Sequence, residues 1–428
     1  MSARDLDAVG LDAVDLDAGD PLAAFRDEFH LLPDTIYMDG NSLGLASKPA
    51  LAALHDVAEA WKGQGIDGWL GGAHPWYHLS ERLGAMAAPF LGAQPREVAI
   101  AGSVSVNLHQ VLATFFKPHG ARTKILIEEA AFPTDAYAVK SHLALHGLDP
   151  ADHLVVVPSA GGTALDEDAV VAALNGEIAL AVLPVVLYRT GQLLDTRRIA
   201  LAAQACGALL CLDACHSFGA MAHAWHDDGV DAGIFCTYKY GNGGPGAAAG
   251  LFVHEKHLGT RPGLPGWFSS RKDKQFDMDD TLVAAEEAGA YQIGTPNILS
   301  MAPLLGAFDQ IARAGIDRIR AKSLALTGYM IERIDAQLDG LGFTIATPRE
   351  AARRGGHVAL RHAEAARICK ALKDARVIPD FRPPDIVRLS PAPLYGSFAE
   401  VAETVRILRD IAVERRYLAY PNVRDLVA

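Results

Sequence analysis

Residues 232–253 read Ala-Gly-Ile-Phe-Cys-Thr-Tyr-Lys-Tyr-Gly-Asn-Gly-Gly-Pro-Gly-Ala-Ala-Ala-Gly-Leu-Phe-Val. The apolar runs at 233–236 and 250–253 have the length and composition of strands, and a glycine-rich turn separates them. That connection is too short for a helical crossover, so the second strand is expected to run antiparallel. Lys239 stands at the tip of the first strand, hard against the turn. Most lysines are solvated surface charges. One at a strand tip, where glycines let backbone approach closely, is placed to hold an aldehyde as a Schiff base. The turn lacks the Lys-Ser/Thr of a phosphate loop and leads into a strand, which rules out the Walker and dinucleotide fingerprints.

Short apolar, often β-branched runs recur upstream at 97–101, 124–127, 153–157, 178–183 and 208–212. Helical periodicity marks 51–62 and 79–91, and alanine- and leucine-rich stretches of helical length fill 135–146, 166–174 and 196–205. Strands separated by helices imply right-handed crossovers. The expected fold is therefore α/β, with a mainly parallel seven-stranded sheet covered on both faces. Beyond Thr295-Pro296 the texture changes to a long helical tract at 298–338, strand-like pieces at 343–346, 357–360 and 386–389, and a closing helix at 398–417. These indicate a smaller α+β C-terminal domain. The expected division is an acidic mobile tail at 1–20, built on an imperfect Leu-Asp-Ala repeat, then an N-terminal segment at 21–50 that contributes to the active site. A large domain at 51–300 and a small one at 301–428 follow.

Half of the 428 residues are apolar, enough for a large core. A formal charge of −12 argues against nucleic acid and anionic membrane as partners. No apolar run approaches the roughly 20 residues that span a bilayer, and no secretory leader pattern opens the chain, so a cytoplasmic protein is expected. The five cysteines, Cys206, Cys211, Cys215, Cys236 and Cys369, include no CxxC pair. Cys211-x3-Cys215-His216 lacks the ligand number and spacing of a metal site, so no metal is expected.

Ligands of open α/β sheets bind beyond the carboxyl ends of the strands. Ser103 and Ser105 open a helix after the first strand; Phe132 and Asp135 follow the second. Asp213 and His216 follow the fifth, and Tyr238 and Lys239 the sixth. Hydroxyls and free N–H groups at a helix start suit a phosphate. Asp213 can pair with a protonated pyridine nitrogen, Phe132 can stack on the ring, and Lys239 can take the aldehyde. Pyridoxal 5′-phosphate presents those four handles.

These residues lie in segments that together resemble the kynureninase family of fold-type-I, pyridoxal-phosphate-dependent enzymes in the class-V aminotransferase superfamily, and its bacterial members in particular. The segments are Tyr37-Met-Asp-Gly-Asn-Ser-Leu-Gly44, Val106-Asn-Leu-His109, Phe115-Phe-Lys-Pro118, Ala131-Phe-Pro-Thr-Asp135, Asp213-x-x-His216, Tyr238-Lys-Tyr240, Gly266-Trp-Phe268, Gly294-Thr-Pro296 and Pro393-Leu-Tyr395. The resemblance implies that Lys239 holds the cofactor, Asp213 its ring nitrogen, and Phe132 and Asp135 its ring. Val104 and Ser105 would hold the phosphate with His216, Tyr238 and, from a neighbouring subunit, Trp267 and Thr295. Arg388 would bind the substrate α-carboxylate, a task suited to a bidentate guanidinium. Ser42 and Trp69 would complete the substrate site. The implied active unit is a homodimer with shared active sites.

The implied reaction is hydrolytic Cβ–Cγ cleavage of L-kynurenine to anthranilate and L-alanine in tryptophan catabolism, with 3-hydroxykynurenine as a second candidate substrate. Lys239 would remove the α-proton and Tyr238 would donate the proton that completes alanine. The chain departs from the family pattern at Ser269-Ser270, where Gly-His is usual, and at Asn297. Those departures keep a hydrolase of substituted kynurenines in secondary metabolism as the alternative, with a cysteine desulfurase or aminotransferase of the same superfamily as the next. A regulator on this fold would need a DNA-binding domain that the acidic first 30 residues cannot form.

Overall fold

The computed structural model describes residues 13–425. Its large sheet has seven strands, β1 (Val98–Ile100), β2 (Lys124–Glu128), β3 (Leu154–Val157), β4 (Ile178–Pro184), β5 (Leu209–Asp213), β6 (Ala232–Phe235) and β7 (Gly250–Val253), in the order β1-β7-β6-β5-β4-β2-β3. Strands β3, β2, β4, β5 and β6 pair in parallel, and β7 runs antiparallel to both its neighbours. The expected antiparallel last strand is therefore present. Strand β4 lies inside the sheet between β5 and β2 and is buried along nearly its whole length, which is why it reads as a continuous apolar run rather than an alternation.

Helices cover both faces. They include α1 (Lys48–Gln64), α2 (Leu79–Leu91), α3 (Val104–Phe115), α4 (Pro133–Leu145), α5 (Glu167–Ala173) and α6 (Thr196–Cys206). Ser103 caps α3, its hydroxyl accepting from the Val106 N–H at 3.4 Å, and Asp195 caps α6 from the Arg198 N–H at 3.0 Å. Leu83, Phe90, Leu183, Leu212, Phe218 and Phe308 belong to the core on one face; Leu112, Phe116, Ile125, Val139 and Ile234 belong to that on the other.

The tract expected at 298–338 is two helices, α7 (Ile298–Ala314) and α8 (Ile316–Gln337), broken at Gly315. Gly315 has φ 82°, a left-handed conformation that ends one helix and re-aims the next. Helix α7 buries Met301, Leu305 and Phe308 in the large core, whereas α8 sends Leu326, Met330 and Ile334 into a separate core. The change of core thus falls beyond Gly315 rather than at residue 301. That second core is closed by the strands β8 (Thr344–Ile345), β9 (Val358–Arg361), β10 (Asp380–Arg382) and β11 (Ile386–Leu389), ordered β8-β9-β11-β10, and by helices α9 (Ala365–Asp374) and α10 (Phe398–Val413).

The N-terminal segment straps this domain. Ile36–Tyr37 pairs in parallel with Val377–Ile378. Asp17 accepts from the N–H groups of Phe398 (2.7 Å) and Ala399 (3.0 Å) at the start of α10, and Asp20 forms a buried ion pair with Lys322 at 2.6 Å. Residues 13–20 are therefore docked, which corrects the expected mobile tail over that stretch; its first 12 residues lie outside the described ones. A buried ammonium needs a counter-ion, and the acidic repeat supplies one. Among the described residues no helix is long and apolar enough to cross a membrane.

Candidate active site

The carboxyl ends of β2, β4, β5 and β6 and the start of α3 surround a cavity of about 200 Å³ lined by Ser103, Val104, Ser105, Glu128, Phe132, Thr134, Pro184, Val186, Tyr188, Asp213, Cys215, His216, Tyr238 and Lys239. Seven of the residues expected at the site, Val104, Ser105, Phe132, Asp213, His216, Tyr238 and Lys239, share this wall. Asp135 is buried in the first turn of α4, near enough to Asp213, Glu128 and Lys239 to feel their charges.

Lys239 is presented by a tight turn in which the Asn242 N–H donates to its carbonyl (3.0 Å) and the Gly243 N–H to that of Thr237 (2.9 Å). The N-terminal segment presses on the same turn, for the Gly44 N–H donates to the Tyr238 carbonyl at 2.8 Å. A Cβ at Gly44 would stand 2.5 Å from the Lys239 carbonyl oxygen, so only glycine allows that approach.

The Lys239 amine lies 2.9 Å from Nε2 of His216. Burial, then the charges of Lys239 and Arg388, hold the His216 pKa well below its ordinary value, so the imidazole is neutral and Nε2 accepts from the lysine. Its Nδ1 then carries the hydrogen, yet it is buried without a protein partner. A buried donor in a cavity wall calls for an acceptor on a ligand.

At the other end, the Ser105 and Thr134 hydroxyls are 2.8 Å apart, and the N–H groups of Val104 and Ser105 precede the first intrahelical bonds of α3. That is an anion site. Asp213 accepts from the Cys215 N–H at 2.7 Å through Oδ1 and faces the same cavity. Phe132 is 46% exposed, its ring edge-on to Tyr188 at 5.5 Å, so its face is available to a planar ligand. Hydroxyls and helix N–H groups, the orphan His216 donor, a carboxylate, an aromatic face and an amine form the donor set that fits pyridoxal 5′-phosphate.

The remaining expected residues lie elsewhere. Arg388 is buried against β10, with Nε and Nη2 both donating to Asp380, Nη1 to the Tyr188 carbonyl, and Nη2 to Ser42 Oγ at 3.3 Å. Neither Arg388 nor Ser42 reaches the cavity wall. Trp69 and Trp267 line a second cavity of about 850 Å³ with Tyr77, Phe268, Lys272 and Phe276, and Thr295 is exposed on its loop. Ser269 is committed to its own loop, accepting from the Gly266 N–H at 3.0 Å and donating to the Gln292 carbonyl at 2.7 Å. That departure from the family pattern holds a turn rather than facing a ligand.

Sequence reasoning missed Glu128, Thr134, Tyr188, Cys215 and Asp380. Thr134 sits within the quoted segment 131–135, and Glu128 one residue beyond the expected end of its strand; those two had a signal. Tyr188 lies on a loop and Asp380 on a three-residue strand, where no periodicity points to them.

The kynureninase C-terminal domain family model matches residues 319–408. The chain is 53% identical over 409 residues to the kynureninase of Geobacillus thermodenitrificans, covering 96% of each, and 53% identical over 426 residues to that of Shouchella clausii, covering 100% of this chain and 97% of the relative. The chain belongs to the kynureninase family. Among solved structures, a cysteine desulfurase from Thermococcus onnurineus NA1 superposes with TM-score 0.74 at 19% identity, over 91% of this chain and 98% of the other. The cystine C–S lyase C-DES bound to cysteine persulfide superposes with TM-score 0.76 at 19% identity, over 89% and 98%. At that identity the likeness concerns the fold, and the fold is type I. Cys369, the one cysteine of the small domain, is buried in α9, and burial pushes its thiol up to about 12. It lacks the exposed, thiolate-forming character a desulfurase nucleophile needs.

Proposed function

We propose that the chain is a pyridoxal 5′-phosphate-dependent hydrolase that cleaves the Cβ–Cγ bond of L-kynurenine to anthranilate and L-alanine, the reaction of its family in tryptophan catabolism. The observation that carries the reading is the Lys239 amine, bonded to a neutral His216 at the end of the sheet and sharing one cavity with Asp213 and the α3 start. The bound cofactor supplies an electron sink for charge that develops on the substrate α-carbon.

The residues have these roles in the proposal. Lys239 holds the aldehyde and later moves the proton at the α-carbon, with His216 accepting from the amine and keeping it aimed. Asp213 pairs with the ring nitrogen, Phe132 covers one ring face, and Ser105, Val104 and the His216 Nδ1–H hold the phosphate. Burial pushes the Tyr238 hydroxyl above its ordinary range, which keeps it protonated as the donor to the β-carbon. Arg388, oriented by Asp380, takes the α-carboxylate.

The active unit in this proposal is a homodimer. Trp267 and Phe276 are 46% and 66% exposed, Ile66 and Leu70 77% and 76%, and together they line or rim the second cavity. An apolar patch of that kind supports a protein interface. A partner covering it would bring Trp69, Trp267 and Thr295 to the neighbouring site. The resemblance of Trp69 and Thr295 to the bacterial family pattern supports kynurenine ahead of its 3-hydroxy analogue.

The test is to supply purified, cofactor-loaded protein with L-kynurenine and 3-hydroxy-L-kynurenine separately, following aryl-acid fluorescence and alanine. The expected result is cleavage of both, faster for kynurenine. Cleavage of neither would overturn the proposed reaction.

A further inference from the structure

Glu128 ends β2 inside the cofactor cavity, 1% exposed, and has no part in the roles given above. Its Oε2 accepts from the Ala130 N–H at 2.5 Å, across the turn that leads to Phe132 and α4. Glu129 clamps the other side of that turn, accepting from the Ser159 N–H at 2.8 Å. Phe132 in turn accepts from the Asp135 N–H at 2.9 Å. The Glu128 carboxyl is thus tied by two short steps to the ring cover and to Asp135.

An amide or hydroxyl would satisfy the Ala130 N–H equally well, so a buried acid needs another reason. Two carboxyl groups, Glu128 and Asp213, line the cavity, and a third, Asp135, is close enough to feel both. Carboxylates crowded in a medium of low polarity do not all ionise. Burial, and then the charges of Asp213 and Glu128, raise Asp135 well above its ordinary value, and its Oδ1 is buried without a partner.

Resting on the assignment of pyridoxal 5′-phosphate to this cavity, we propose that Glu128 is a positioning residue for the cofactor. Its carboxyl holds the Phe132 turn and sets the charge felt by the Asp135–Asp213 pair at the ring-nitrogen end. Burial, against the Ala130 N–H and Arg189 and with a smaller contribution from Glu129, raises Glu128 to about 7. The groups facing it are Glu129 on its own turn, Arg189 on the loop after β4, and Asp135 on α4; Asp213 and Lys239 are the next charges in the wall. Near neutral pH, gain or loss of one proton on Glu128 changes the field in which the ring nitrogen binds.

The experiment compares holoenzyme of the wild type, Glu128→Gln and Glu128→Ala. The readouts are the visible absorbance of bound pyridoxal phosphate against pH and its dissociation constant after resolution and re-addition. The wild type should show an absorbance transition centred near 7, the range to which Glu128 is raised. Glu128→Gln keeps the acceptor for Ala130, so it should lose that transition while its dissociation constant stays within about threefold of wild type. Glu128→Ala also removes the acceptor and should weaken binding about tenfold. If Glu128→Ala does not fold, the Gln titration alone decides. A transition unchanged in Glu128→Gln would overturn this inference while leaving the cofactor assignment intact. Wild-type protein that takes up no pyridoxal phosphate would overturn both.

Discussion

Removing the charge of Asp380 should loosen the arginine proposed to bind the substrate carboxylate, and the size of the effect follows from burial. The Arg388 and Asp380 side chains are 1% and 0% exposed, and Asp380 Oδ2 also lies 3.2 Å from Arg382 and 3.4 Å from Ser42 Oγ. Breaking a buried pair leaves an uncompensated charge, at a cost of about 3–5 kcal/mol. Asp380→Asn keeps an acceptor of the same shape, which returns about 1 kcal/mol through a neutral hydrogen bond. The net loss for Asp380→Asn is then about 2–4 kcal/mol, and Asp380→Ala, which returns no acceptor, should lose the full amount of about 3–5 kcal/mol. Two assays apply. Denaturant unfolding followed by circular dichroism should show a lower midpoint at unchanged slope. Steady-state kinetics should show KM for L-kynurenine raised more than tenfold, with the absorbance of bound cofactor unchanged because Asp380 does not line the cofactor cavity. An Asp380→Asn variant with wild-type midpoint and KM would refute the argument that this carboxylate orients Arg388.

Gly44→Ala should weaken cofactor binding about tenfold or more, measured by titrating cofactor-free protein, because its Cβ would crowd the Lys239 carbonyl and displace the turn. Mixing Lys239→Ala with Trp267→Ala subunits, each inactive or nearly so alone, should restore roughly a quarter of wild-type activity if the dimer shares its sites, since half the dimers then carry one intact site. No restoration would place Trp267 in its own subunit's site. His357 is buried, and burial with the nearby Arg388 and Lys239 charges holds its pKa well below the ordinary value. Its folded form therefore binds fewer protons than the unfolded chain, so its stabilising contribution is complete above about pH 6.5 and is lost as pH falls below that. Relative to His357→Gln, the wild type should lose about 1.4 kcal/mol of unfolding free energy between about pH 7.5 and about pH 5.5, measured by denaturant titration at each pH.

Most of the architecture was legible because its elements are long enough to carry a period. Helix α2 and strands β7 and β11 fall on the expected residues, and the antiparallel β7 followed from loop length alone. What escaped is short or conformational. The pairing of Ile36–Tyr37 with Val377–Ile378 involves two residues on each side, too few for an alternation, and β10 is scarcely longer. The break at Gly315 depends on one positive φ in an otherwise helical tract. Docking of residues 13–20 depends on Asp17 and Asp20 meeting a helix start and a buried lysine far along the chain, which composition cannot reveal.

At the site, strand ends were enough to gather Ser103, Ser105, Phe132, Asp213, His216, Tyr238 and Lys239, because topology alone brings the ends of parallel strands together, and the family resemblance added Val104. Glu128 was missed by one residue of strand length, and Tyr188 because a loop has no register. The separation of Trp267 from Lys239 within one chain matches what the family resemblance implied, whereas that of Trp69 had no signal in spacing or periodicity.

In the proposed reaction Lys239 holds the aldehyde of pyridoxal phosphate in this cavity. Borohydride reduction of the cofactor-loaded protein, followed by digestion and mass spectrometry, tests it directly. The pyridoxyl mass should appear on the peptide containing Tyr238-Lys239-Tyr240 and vanish in Lys239→Ala. A label on another lysine, such as Lys272 in the second cavity, or no label on protein that retains the cofactor, would contradict it.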